Sequence, residues 1–220
     1  MNFKKDHFLK RCLMSAIGVI VCGIAVGFFK HATFGVDPFQ SLMSGLDALI
    51  PIKFGTLYVI VNVILLSFSL IFDRHYIGLA TFINLFLLGY IVQFSLETLQ
   101  HFFPNPLLWQ RTLFLAIGIG VICFASSFYI AADLGVSTYD AVALIISNTW
   151  HVWKFKYIRI VTDVICVVLG VILYLLAVKS WSGIQSVVGI GTIITAFFMG
   201  PLVDFFQVHV AKPFLEGKNK

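Results

Sequence analysis

Charge is what this chain has least of. Only 11% of its 220 residues are Asp, Glu, Lys or Arg, against 60% hydrophobic residues. With a mean hydropathy of +0.98, too little polar surface remains to coat a water-soluble globule. The alternating ten-residue pattern of an outer-membrane barrel strand is also absent, because the apolar runs are continuous. Cysteine is sparse: Cys12, Cys22, Cys123 and Cys166 lie within apolar runs without CxxC spacing, which points away from a disulfide framework. The six histidines, at 7, 31, 75, 101, 151 and 209, show no pair with ligand spacing on one helix, so no metal is expected. No GxSxG, HExxH or GxxxxGK[ST] occurs. The expectation is therefore no cofactor and no enzyme, and ATP-driven transport would require a separate motor subunit.

What is present is long apolar sequence. Runs at 12–29, 56–72, 76–99, 111–132, 158–178 and 183–208 reach or approach the roughly 20 residues that cross the hydrocarbon as helix. An all-α membrane helix bundle with six long spans follows, with the lipid bilayer as its solvent. The net charge of +5 comes from cations scattered at span ends, which fits the positive-inside rule and not a nucleic-acid patch. With the amino terminus in the cytoplasm, six crossings place Lys4, Lys5, Lys10, Arg11, Arg74, Lys154, Lys156, Arg159, Lys212, Lys218 and Lys220 inside, 11 of the 15. Lys30, Lys53, Arg111 and Lys179 remain outside. Both termini are then cytoplasmic.

The chain also reads as one segment written twice. Residues 11–40 match 111–140 without a gap, through Arg11/Arg111, Leu13/Leu113, Ala16/Ala116, Ile17/Ile117, Gly18/Gly118, Val21/Val121, Ala25/Ala125, Phe28/Phe128, Ala32/Ala132, Gly35/Gly135 and Val36/Val136. Chance in so apolar a sequence gives roughly two or three such identities. The register later slips to 111, where Gly78, Thr81, Ile83, Phe86, Gly89, Val92 and Phe94 recur as Gly189, Thr192, Ile194, Phe197, Gly200, Val203 and Phe205. The expected organisation is a cytoplasmic tail over 1–10, a first repeat over 11–99, a linker over 100–110, a second repeat over 111–208 and a second cytoplasmic tail over 209–220. In a duplicated membrane chain the site is expected between the halves.

Between the first two long runs of each half lies a shorter, more polar segment, 36–51 and 136–150. In the first, Phe39, Leu42, Met43, Leu46, Leu49 and Ile50 fall at helical spacing, opposite Gln40, Ser41, Ser44 and Asp47. About 15 residues of helix measure roughly 22 Å, short of a hydrocarbon layer about 30 Å thick. Each opens on a helix-start signature: Asp37 as cap with Pro38 in the first turn and Gln40 three residues on, and Ser137 as cap with Asp140 three residues on. Gly35 and Gly135 precede the caps. If these helices turn back, each half crosses three times and the halves are inverted; if they cross, there are eight spans and parallel halves. Charge counting gives 11 to 4 for the first arrangement and 12 to 3 for the second, whereas length favours the first.

The candidate substrate-binding residues are the helix starts, Gly35, Asp37, Gln40, Gly135, Ser137 and Asp140, with polar residues inside long spans, Asn62, Thr81, Asn84, Asp163 and Thr192. Competing structural readings accompany them. Asp163 stands four residues from Arg159 and can form an ordinary i, i+4 pair, and threonines in spans commonly bond their own backbone. Gln93 and Asp204 form a further matched pair.

The Gly-Val-Asp-Pro-Phe-Gln and Gly-Val-Ser-Thr-Tyr-Asp helix starts, with Asn62 and Asp163 in the following spans, resemble those of the YczE/YyaS/YitT family of bacterial integral membrane proteins. In the YczE-like branch the first motif typically resembles a Gly, Pro, aromatic, Asp pattern; Gly35, Pro38 and Phe39 match and Gln40 replaces the acid. The resemblance implies a bacterial cytoplasmic membrane location and names no substrate. The function expected is a permease or channel for a small solute with its site between the halves. The competing expectation is a membrane accessory subunit that anchors a biosynthetic or secretion enzyme; a homo-oligomer or a partner subunit fits either.

Overall fold

A computed structural model describes residues 8–153 and 155–216. Lys4, Lys5, Lys154, Lys218 and Lys220, which enter the charge count, lie outside the described residues, as does the side chain of Asp204. The described chain is helical: α1 (Phe8–Ala32), α2 (Pro38–Leu49), α3 (Phe54–Phe72), α4 (Leu79–Phe102), α5 (Leu108–Ala131), α6 (Thr138–Leu144), α7 (Phe155–Val178), α8 (Ile190–Phe206) and α9 (Lys212–Glu216). Among the described residues, five helices are long and apolar enough to cross a membrane, namely Phe8–Ala32, Phe54–Phe72, Leu79–Phe102, Leu108–Ala131 and Tyr157–Val178. The sixth apolar run begins as a short 3-10 turn, Ile184–Ser186, and only then becomes α8, of 17 residues. A π-helical turn over Gln207–Ala211 carries α8 into α9. The apolar composition of 183–208 thus overstates the length of its regular α-helix, because Gly183, at φ 80°, and Gly189, pressed against the Phe34 carbonyl, shape its entry.

Helix directions follow from the partners at helix ends. Arg11, in the first turn of α1, donates to the carbonyl of Ala132 just past α5 at 3.0 Å. Arg111, in the first turn of α5, donates to Ala32 at the end of α1 at 2.9 Å and to the Thr33 carbonyl at 3.2 Å. These helices are therefore antiparallel. They touch through glycine: a Cβ on Gly18 would lie 3.0 Å from the Ala125 carbonyl, and one on Gly118 would lie 3.4 Å from that of Ala25. Helix α4 runs parallel to α1, since Gly23 faces Leu88 and Ile91 while Gly27 faces Ser95, whose hydroxyl donates to Ile24 O at 3.1 Å. Helix α3 runs antiparallel to α4, with Gly55 N donating to Gln93 Oε1 at 3.2 Å and Tyr58 donating to Asn84 Oδ1 at 3.3 Å.

The end of α1 and the start of α3 consequently lie on one side of the bundle. Helix α2, at 12 residues about 18 Å long, leaves and returns on that side without crossing. The second short segment behaves alike at the other side, where Thr149 donates to Asp73 Oδ2 at 2.7 Å and Trp150 packs edge-on against Phe72 at 5.0 Å. It is not one α-helix: α6 spans seven residues and gives way to a π-helical turn over Ile145–Thr149.

The loop after α3 ties the halves together outside the spans. Asp73 caps the turn Arg74–Tyr76 by accepting from His75 N at 2.9 Å, and Asn148 donates to the Tyr76 hydroxyl at 3.2 Å. The bonds from His75 N–H and from Thr149 hold the Asp73 carboxyl below its ordinary value of 3.8. A depressed folded pKa means that this clasp is fully present above the unfolded pKa and is lost as pH falls through the lower folded one. The protection of amides 148–150, measured as exchange relative to the intrinsic rate at each pH, is accordingly expected to be unchanged from neutral pH down to about 4, by the reference carboxylate value, and to fall below it. In Asp73→Asn the protection should be low at every pH; equal protection in the two proteins would count against the clasp.

Candidate functional site

The starts of α2 and α6 meet inside the bundle. Each is built as its local sequence demands. Asp37 accepts from Gln40 N at 3.2 Å, with Pro38 in the first turn, and Ser137 accepts from Asp140 N at 3.1 Å while donating to Asp140 Oδ2 at 2.7 Å. Both approaches need backbone that favours glycine: Gly35 has φ 91° and Gly135 has φ 108°. The preceding Thr33 and Asp133 repeat a second left-handed position, at 54° and 50°.

Each glycine is also pressed against the other half. A Cβ on Gly35 would lie 2.9 Å from Gly189 Cα, and one on Gly135 would lie 2.7 Å from Gly78 Cα. The carbonyls of Phe34 and Leu134 accept from Gly191 N at 2.7 Å and Ala80 N at 3.0 Å. Thr81 and Thr192 belong to these junctions. Each accepts from a backbone amide, of Gly78 and Gly189 respectively, at 3.2 Å, and Thr81 donates to Val136 O at 2.6 Å. They hold the helix starts in place and stand apart from the charged cluster.

The cluster forms where the two starts face α3 and α7. Phe39 stacks on Tyr139 with ring centroids 4.9 Å apart. The Tyr139 hydroxyl donates to Asp163 Oδ1 at 2.6 Å, and Arg159 lies over the Tyr139 ring at 4.5 Å. Arg159 forms an ion pair with Asp140 and a second with Asp163 at 3.3 Å. The i, i+4 pair read from sequence is therefore real, and it is half of a larger arrangement. Asp37 lies within electrostatic reach of both Arg159 and Asp163, so a third carboxylate stands near the guanidinium that Asp140 and Asp163 pair.

A neutral chain of bonds continues from here. Thr138 donates to Asn62 Oδ1 at 2.5 Å, Asn62 donates to Tyr58 O at 2.8 Å, and Tyr58 reaches Asn84. Asn62 and Asp163 each stand eight residues beyond the first residue of their helix, Phe54 and Phe155. That is about 12 Å along the axis, at membrane depth. Asp163, Arg159 and Asp140 nonetheless keep 21%, 33% and 36% of their side chains uncovered by protein. Two buried polar atoms nearby lack a partner among the described residues, Gln40 Oε1 and the Tyr129 hydroxyl.

The structure thus brings Asp37, Gln40, Ser137, Asp140, Asn62 and Asp163 into one region, with Asn84 at its edge and Gly35, Gly135, Thr81 and Thr192 as its frame. Sequence reasoning missed Arg159, Tyr139, Tyr58, Thr138 and Tyr129 as members. The signal was available for Tyr139 and Thr138, which lie within the second helix-start motif, but nothing local marks Tyr58 or Tyr129.

An all-helical bundle with charged groups at spanning depth defines a polytopic integral membrane protein. The chain belongs to DUF6198, a family of unknown function, which it matches over residues 9–208. It is 24% identical over 204 residues to YyaS of Bacillus subtilis, covering 93% of this chain and 95% of the relative. It is 22% identical over 205 residues to the membrane protein YczE of the same organism, covering 91% and 87%, and 23% identical over 201 residues to a protein of Haemophilus influenzae, covering 91% and 84%. These relatives are described only as uncharacterized. No solved structure matches the chain.

Proposed function

We propose that this protein is a permease of the bacterial cytoplasmic membrane, moving a small solute through a site between two inverted halves, with both termini cytoplasmic. The observation that carries the reading is the meeting of the α2 and α6 starts beside Asp140, Arg159 and Asp163. Polar backbone and ion pairs at spanning depth are costly, and they are typical where a pathway passes. The antiparallel crossing of α1 and α5, with reciprocal Arg11 and Arg111 bonds, supports inverted halves, an arrangement suited to alternate opening on either side. Two carboxylates paired with one guanidinium, and a third nearby, favour a solute or a coupling ion that carries positive charge.

The test is flux. In proteoliposomes assayed by solid-supported-membrane currents with amines, amino acids, Na⁺ and H⁺, the parent protein is expected to give a current with at least one of them. Asp163→Asn should abolish it while leaving the size-exclusion profile intact, because the amide keeps the shape and loses the charge. A current unaltered by Asp163→Asn, or none from the parent under every gradient, would remove the reading.

The accessory-subunit alternative turns on helix α7, whose exposed apolar face, including Ile160, Val164, Val168 and Ile172, suits lipid and a partner's span alike. On that reading Asp163→Asn leaves function intact and bulky substitutions on this face abolish it.

A further inference from the structure

Three of the four cations that the charge rule leaves on the outer side converge at one end of the first half. A cleft of about 340 Å³ opens where α1 and α4 end and α5 begins, bordered by Lys30, His31, Thr33, Gln100, Asn105 and Arg111. A neighbouring cleft of about 290 Å³ shares Lys30 and Gln100 with it and adds Lys53 together with the carboxylates Asp47 and Glu97. No carboxylate lines the first cleft.

We propose that the first cleft is an oxyanion site of phosphate type. Lys30 supplies the charge. Its ammonium lies over the Phe54 ring, 3.4 Å from the centroid, at the border with the neighbouring cleft and within electrostatic reach of Asp47, and it enters neither of the ion pairs found among the described residues. Arg111 uses Nε and Nη2 on the end of α1, which holds its cationic group rigidly at the cleft wall. His31 borders the cleft with only 5% of its surface exposed, so it forms part of the wall and its buried Nε2 lies out of a ligand's reach.

Phosphate fits this inventory. Its oxygens accept from the ammonium and the guanidinium. The site also accounts for Lys30, Lys53 and Arg111 lying on the side that the positive-inside rule leaves poor in cations. The same chemistry is offered by free phosphate and by the headgroup of an anionic lipid, since the cleft lies at helix ends. The inference does not depend on transport, because Asp163 stands well inside α7.

The test uses the full chain purified in detergent. Inorganic phosphate is titrated by calorimetry, and co-purified phosphatidylglycerol is measured by native mass spectrometry. Lys30→Gln and Asn105→Asp, the latter on the exposed segment after α4, are each expected to weaken phosphate binding roughly tenfold or more, the size of a lost charge-assisted bond. Asp163→Asn should leave it unchanged. Loss of retained phosphatidylglycerol in both variants, without binding of inorganic phosphate, assigns the site to a lipid headgroup. If neither phosphate affinity nor retained lipid responds to either substitution, the proposal is overturned. Should Lys30→Gln fail to fold, Asn105→Asp carries the test alone.

Discussion

Gly135→Val is expected to prevent accumulation of monodisperse protein, whereas Gly120→Ala leaves it unaffected or slightly improved. Gly135 holds φ 108°, a conformation that costs a β-branched residue about 1–3 kcal/mol. Its new Cβ would also stand 2.7 Å from Gly78 Cα and 2.8 Å from Thr81 Oγ1, and backbone cannot yield as a flexible side chain does. Overpacking of this kind adds about 1–3 kcal/mol more. Gly120 lies within α5, and a Cβ there would meet nothing within 4 Å, so alanine contributes only its helix preference, about 1 kcal/mol. Size-exclusion profiles after detergent extraction decide the matter. Equal yields of folded protein from the two variants would show that the Gly135 junction is dispensable.

Arg159→Met is expected to lower stability and abolish flux together, and the two losses should then separate in a neutralised background. The substitution leaves Asp140 and Asp163 without the cation that both now contact. Removing one partner of a buried pair typically costs about 3–5 kcal/mol. Here the side chains keep a fifth to a third of their surface, and solvent screening brings the expected loss down to about 2–3 kcal/mol. The triple variant Arg159→Met, Asp140→Asn, Asp163→Asn carries no orphaned charge at these positions. Its unfolding, followed by tryptophan fluorescence, should approach that of the parent while flux stays absent. A triple variant that regains flux would show that the ion pairs serve stability alone. An Arg159→Met protein as stable as the parent would show that the carboxylates need no counter-charge.

Part of this site was legible in sequence because its determinants are local. A cap residue, a proline in the first turn and a glycine three residues ahead of it act within a single turn of chain, so Asp37, Pro38 and Gly35 announced a helix start, and Ser137 and Gly135 announced another. Both caps form as written, with the difference that Gln40 does not reach back over its helix: its Oε1 is buried without a partner, while Asp140 in the matching place bonds Ser137 and Arg159. The threonines were less legible. Thr81 and Thr192 looked like polar residues facing a pathway, yet each bonds a glycine amide three residues earlier, a role set by loops that arrive from the other half of the chain.

Composition and periodicity by themselves determined that this chain is a helical membrane protein, because a run of some twenty apolar residues has no stable place in water and must pair its backbone internally in lipid. They also determined where helices begin, since capping is a contact between neighbours in sequence. Only the tertiary structure decided that α2 turns back, that α1 and α5 run antiparallel, and that Arg159 bridges Asp140 and Asp163 instead of holding its i, i+4 partner alone. Those outcomes depend on contacts between residues that are distant in the chain, where close approach at glycine and the pairing of charges out of water select one arrangement among several that the local pattern allows equally well.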